Sequence, residues 1–233
     1  MRKMISFRGK AARAALAALF SAAPLLSFAP AARSHEHWFD PGDFYPSAGA
    51  ATSLRVCSGH HYPESGFAVK DEVLGGVILA APGGGTSKVP TARGEISHAG
   101  SFTTATEGVH ILSLALRRPG AADPAFELKA IIVAGGKDDP SAYSTGKGLE
   151  IVPLASLAEA AAPCGIPCGI LLDGERIEGS LTLFDDGGGS AALKADRESP
   201  ALVAVKRAGR YLLVAQAAGR ECSLVFEVRG GKE

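Results

Sequence analysis

Short runs of alternating apolar and polar residues, parted by clusters of Gly, Pro and Asp, recur along most of the chain. Alternation of period two marks half-buried β-strands, and the 3.6-residue period of an amphipathic helix is scarce. Residues 52–57 (TSLRVC) form the first clear strand, with Leu54 and Val56 facing inward and Cys57 on the other side. Residues 77–81 (VILAA) form the second, closed by Pro82-Gly83-Gly84-Gly85, and a polar, loop-like stretch runs to Gly100. A weak strand over 102–106 and a turn at Glu107-Gly108 lead into 109–116 (VHILSLAL). Strict alternation there sets His110 on the face of Leu112, Leu114 and Leu116. Residues 127–134 (ELKAIIVA) are the last strong strand of the first half.

The second half opens with 149–154 (LEIVPL), and 155–162 are compatible with a short helical turn. A strand over 168–173 ends in Asp173-Gly174, a strong hairpin signal. Strands over 180–184, 191–195, 201–206, 211–216 and 222–229 complete a set sufficient for one small sandwich. The expectation is an all-β protein of two immunoglobulin-like or prealbumin-like β-sandwich domains, over 35–136 and 149–233. The Gly- and charge-rich stretch 137–148 is the expected linker.

Residues 1–34 have the three parts of an export signal: a basic start (Arg2, Lys3, Arg8, Lys10, Arg13), an apolar alanine-rich run, and small residues around Ala32-Arg33-Ser34. The apolar run contains Pro24 and falls short of the roughly 20 residues a membrane span needs. A signal peptide cleaved after Ser34 is expected, with cleavage after Ala32 the nearest alternative. The mature protein is then periplasmic or secreted, with no transmembrane segment. The full chain has 24 basic and 24 acidic residues, and the six basic residues of the leader leave 18 against 24. That balance argues against nucleic acid as a partner.

The stretches HEHWFDPGDFYPSAG, SGHHYPES and EGVHILSLAL resemble an exported bacterial domain family of poorly defined function. That family is associated with nickel and cobalt uptake, as periplasmic accessory parts of metal transporters. LEIVPL, ILLDGERIEGSLTLFDD, KRAGRYLLVAQA and SLVFEVR resemble a prealbumin-like or carboxypeptidase-regulatory-like β-sandwich. The resemblance covers most of the chain beyond the leader. It implies a metal ion, and a membrane metal-uptake transporter, as partners.

The histidines carry the candidate chemistry. A chain beginning His35-Glu36-His37 offers a terminal amine, two intervening amides and a third-position imidazole, a square-planar nitrogen set suited to Cu(II) or Ni(II). A competing geometry uses the amine and imidazole of His35 with a histidine from elsewhere. The first needs a flexible terminus; the second needs a docked one, which Trp38, Phe39, Phe44 and Tyr45 favour. His60 and His61 follow the first strand in a glycine-led loop, and adjacent residues of an extended chain point opposite ways. His110, on an apolar face, is either a hydrogen-bonded core residue or a ligand held by the scaffold. The metal candidates are therefore His35, His37, His60, His61 and His110, and imidazole suits nickel, cobalt, copper or zinc. His98 reads as background in a polar loop.

Four cysteines in an exported chain point to disulfides. Cys164–Cys168 and Cys168–Cys222 are rival pairings, and Cys57 is a soft ligand, a disulfide partner or a free thiol. The glycine runs lack the Lys-Ser/Thr of a phosphate loop, and no Gly-x-Ser-x-Gly elbow or nucleophile–base pair is recognisable. The expectation is a non-enzymatic periplasmic protein that binds nickel, cobalt or copper. The alternatives are a non-catalytic adhesion or assembly module and a histidine-brace copper oxidase.

Overall fold

A computed structural model describes residues 35–118, 120–121 and 123–231. The expected signal peptide, residues 1–34, lies outside the described residues. In chain order the strands are β1 (Glu36–Pro41), β2 (Ala51–Gly59), β3 (Val77–Ala80), β4 (Thr86–Val89), β5 (Thr91–Arg93), β6 (Ser97–Thr103), β7 (Gly108–Leu116) and β8 (Phe126–Ala134). There follow β9 (Leu149–Pro153), β10 (Ala161–Ala162), β11 (Cys164–Leu172), β12 (Glu175–Ile177), β13 (Gly179–Asp185), β14 (Ser190–Ala195), β15 (Ala201–Val205), β16 (Gly209–Ala217) and β17 (Arg220–Gly230). One 3-10 turn, Pro140–Tyr143, is the sole helical element among the described residues. The all-β class read from the alternation holds. The stretch 155–162 contributes a turn and the short β10 rather than a helix.

Three sheets are stacked. A central sheet runs β14-β13-β16-β17-β8-β7-β3-β4, with β10 alongside β17. One outer sheet has the order β1-β2-β6-β5, and the other has β12-β11-β15 with β9 also on β11. Alternation along β7 and β8 feeds both cores. Leu112, Leu114, Leu116, Leu128, Ala130 and Ile132 pack with Phe39, Phe44, Leu54 and Val56 of the first half. Val109, Ile111, Ile131 and Val133 join Ile151, Ile166, Val203, Leu213, Leu224 and Phe226 of the second.

The two halves share this sheet. β8 pairs in parallel with β17, from Phe126 opposite Glu221 to Ala130 opposite Val225. Trp38, Cys57 and Tyr62 of the first half pack against Leu212 of β16. The stretch 137–148, expected as a linker, is built into the junction. Tyr143 is fully buried; its hydroxyl donates to Asp138 and accepts from the Leu157 amide at 2.9 Å. Lys129 on β8 donates to the Tyr143 carbonyl at 3.0 Å and to Glu150 on β9 at 2.9 Å.

The Asp173-Gly174 signal is correct: both residues have positive φ, 51° and 87°, and they join β11 to β12 with Leu172 opposite Glu175. This two-residue reversal matches the right-handed twist of its strands, and Gly174 takes its φ without penalty. The disulfide expectation is corrected: Cys57, Cys164, Cys168 and Cys222 are all free thiols. Cys164 and Cys168 both lie on β11, where four residues of extended chain separate them by ~13 Å, beyond disulfide reach. Cys168 and Cys222 lie in different sheets, on β11 and β17, and both feel the charge of Lys129.

Candidate metal centre

The start of the first outer sheet carries the histidines. β1 and β2 are antiparallel, with Glu36 opposite Gly59, His37 opposite Ser58 and Trp38 opposite Cys57. Continuing that register by one step sets His35 across from His60. Alternation then puts His35, His37, Ser58 and His60 on one face, and Glu36 and Trp38 on the other.

The side chains follow this pattern. The rings of His35 and His60 have centroids 4.3 Å apart, tilted by 50°. Phe67, from the loop after β2, meets His35 edge-on at 4.8 Å. His37 lies deeper: its Nδ1 is hydrogen-bonded to Ser58 Oγ at 2.7 Å, and its ring stands edge-on to Phe126 at 5.0 Å. Burial, with the nearby His35 second, lowers its pKa to about 4. His35 and His60 are exposed, whereas His37 is half-buried. The outer pair is open to solvent, and the inner histidine is neutral near pH 7, anchored to the scaffold.

The other candidates lie apart. His61 is exposed and bridges to Glu64 in a small turn just past the end of β2. His110 is buried on β7, and its Nε2–H donates to the Thr106 carbonyl at 2.9 Å. It stands six residues from Leu116, the β7 residue paired with the Phe126 that His37 touches. That separation is ~20 Å along the strand. His110 is a core histidine, although its Nδ1 has no hydrogen-bond partner. Among the described residues no three His, Cys, Asp or Glu side chains stand together at metal-holding distances. A third donor for the His35–His60 pair would have to come from the main chain, as nitrogen or carbonyl oxygen, or from a water oxygen.

Sequence reasoning missed several parts of this site. Ser58 was a legible omission, since it lies two positions before His60 and so shares its face. Phe67 and Phe126 come from distant segments, and no local pattern marks them. His98 proved to be structural: it sits on β6, is 1% exposed, and donates from Nε2 to the Val69 carbonyl at 2.7 Å. That bond ties down the loop that carries Phe67.

A separate cavity of about 380 Å³ opens at the junction of the halves, lined by Ser113, Glu127, Lys129, Thr145, Lys147 and Glu150 among others. Its acidic walls are already engaged. Glu127 accepts from Arg220 and from the Leu149 amide, and Glu150 accepts from Lys129, Ser144 and the amides of Thr145 and Gly146. No helix among the described residues is long and apolar enough to cross a membrane.

Comparison with solved structures finds distant likenesses. The D0–D1 domain of intimin is 10% identical, with a TM-score of 0.26, covering 83% of this chain and 97% of that one. A DUF4785 family protein from Legionella pneumophila is 11% identical, with a TM-score of 0.31, covering 83% of this chain and 47% of that one. A segment of two fibronectin type III domains from chicken tenascin is 10% identical, with a TM-score of 0.25, covering 83% and 99%. No curated protein matches the chain. The domain of unknown function DUF4198 matches residues 32–219, most of the chain's length, and the chain belongs to that family.

Proposed function

We propose that the protein is an exported transition-metal-binding protein whose ligands are the terminal amine and imidazole of His35 and the imidazole of His60. The observation that carries this reading is the 4.3 Å approach of the His35 and His60 rings on an exposed, cross-strand pair. Three nitrogen donors without a carboxylate suit copper, nickel or cobalt rather than a hard cation. The reading requires cleavage after Ser34, which frees the His35 amine. The mature protein then works in the periplasm or outside the cell, where handling nickel or cobalt for uptake is the role its sequence resemblance suggests.

The β1–β2 ladder favours this docked geometry over the square-planar terminal one. The latter needs the amides of Glu36 and His37 as deprotonated ligands, but both residues are paired with β2, and the His37 ring is turned to Ser58. His37 supports the site instead, fixing β1 on β2.

Mass spectrometry of the exported protein should give His35 as the first residue. Calorimetry with Ni(II) and Cu(II) on that species should give one site per chain. His60→Ala should weaken it by at least ~10-fold, and a form retaining Ser34 should lose it similarly. No binding to a verified His35 terminus would overturn the reading. Oxygen- or peroxide-dependent turnover with copper would extend it to an oxidase of the histidine-brace kind.

A further inference from the structure

We propose that the cavity at the junction of the halves is a binding site for a small monocarboxylate with a short apolar body. Along β7 and β8 the face turned to the second half changes character partway. Val109 and Ile111 of β7 and Ile131 and Val133 of β8 belong to the second core. The next residues on that face, Ser113 and Ala115 with Lys129 and Glu127, line the cavity instead. Ile78, Ser113 and Lys129 stand opposite one another across β3, β7 and β8, so their side chains share the floor. Residues 145–150, from the turn into the start of β9, supply a wall. A volume of about 380 Å³ is in the range of small-molecule sites.

The hydrogen-bonding groups left unused in this cavity select an anion. Glu150 accepts from Lys129, Ser144, Thr145 and Gly146, which saturates both of its oxygens. The charge of Glu127 is met by Arg220, and its Oε1 is packed so closely on Gly148 that no Cβ would fit there. Neither carboxylate is open to a bound cation. The unused groups are donors. The Lys129 ammonium spends two of its three N–H groups, on the Tyr143 carbonyl and Glu150. The Ser113 hydroxyl and the Lys147 ammonium have no partner among the described residues.

The balance of charge limits the ligand to a single negative charge. Lys147 offers one uncompensated cation, and Arg117, also on the lining, is already engaged. A dianion would face Glu127 and Glu150 with a charge unmet, and like charges brought together are costly. A carboxylate that accepts from Ser113 and Lys147 lays its apolar body on Ile78 and Ala115, which are both half-buried and so have surface left to cover.

Calorimetric titration of the purified protein with hexanoate and with benzoate tests this. For ligands of this size a dissociation constant of ~0.1–1 mM is expected for at least one of them. Hexanamide and hexylamine keep the body but lose the negative charge, and they should bind at least ~10-fold more weakly, as should inorganic phosphate. Ser113→Ala combined with Lys147→Ala should weaken carboxylate binding by at least ~10-fold. Thermal unfolding should be unchanged in that variant, since neither side chain has a partner to lose. His60→Ala should bind the carboxylate as the wild type does, which separates this site from the metal reading. No binding of either carboxylate up to ~10 mM overturns the proposal. So does hexanamide or phosphate binding as tightly, binding that survives the double variant, or binding lost in His60→Ala.

Discussion

Lys129 on β8 and Glu150 on β9 form an ion pair at 2.9 Å between two side chains that are each about 95% buried. The carboxylate also accepts from Ser144, Thr145 and Gly146, so one group holds the 144–146 loop to the strands on either side of it. Removing one partner of a buried pair leaves the other uncompensated, which costs about 3–5 kcal/mol, whereas an apolar replacement of both is often neutral. Lys129→Met or Glu150→Gln alone should each destabilise by that order in urea unfolding. Lys129→Met with Glu150→Leu should recover most of the loss. Additive losses in the double variant would show that the pair is not the unit that matters.

The same pair sets an acid limit. Burial pushes the Glu150 pKa up, but the Lys129 ammonium, the Ser144 hydroxyl and the Thr145 amide outweigh it and hold it below the ordinary value. Near the ordinary pKa the unfolded chain therefore binds the proton that the folded chain refuses. The contribution of Glu150 is fully present above pH ~4.5 and is lost as pH falls through the lowered folded pKa. Unfolding free energy measured from pH 6 down to 3 should fall for the wild type, with a shallower slope for Glu150→Gln.

Metal binding should depend on the histidines unequally. His60→Ala should abolish or greatly weaken binding, whereas His61→Ala and His110→Gln should leave it within about twofold, since neither side chain reaches the His35 ring. His110→Gln should instead destabilise, by about 1–3 kcal/mol, because its bond to the Thr106 carbonyl is buried. Equal losses of Ni(II) affinity in all three variants would mean that the site is not centred on His35 and His60.

The thiols separate by burial. Desolvation pushes Cys57 up to about 11 and Cys168 to about 12, and raises Cys222 further. Cys164 is only half-buried and is raised less. A thiolate-selective aromatic disulfide reagent at pH 8 should titrate Cys164 rapidly in the folded protein. The other three should react only on unfolding, for four thiols in all. Two thiols after unfolding would reveal a disulfide instead.

Much of this architecture is written in local pattern. The period-two alternation of VHILSLAL and ELKAIIVA gives both strands and tells which residues face which core, because side-chain direction in a strand is a property of the backbone itself. Asp173-Gly174 determines its hairpin for the same reason: the positive φ values needed are ones these residues tolerate. Half of the metal site is legible as well. His35 and His37 share a face by alternation, as do Ser58 and His60.

Tertiary structure decided what local pattern does not contain. Bringing His35 to His60 depends on the β1–β2 register, and register comes from how Phe39, Leu54 and Val56 fill a common core. The same cause sent His110 to the far end of β7 and turned the expected linker into a packed junction around Lys129, Glu150 and Tyr143. It also kept Cys164 from Cys168, since spacing along a sequence becomes a distance only once the chain between is known to be extended. Sequence alone set the strongly alternating strands, their faces and the amino-acid chemistry of the site, but not β1 or the polar strands β4, β5 and the start of β6, which read as loop. Only the packing of three sheets, in which residues far apart in the chain compete for the same buried volume, determined which side chains meet.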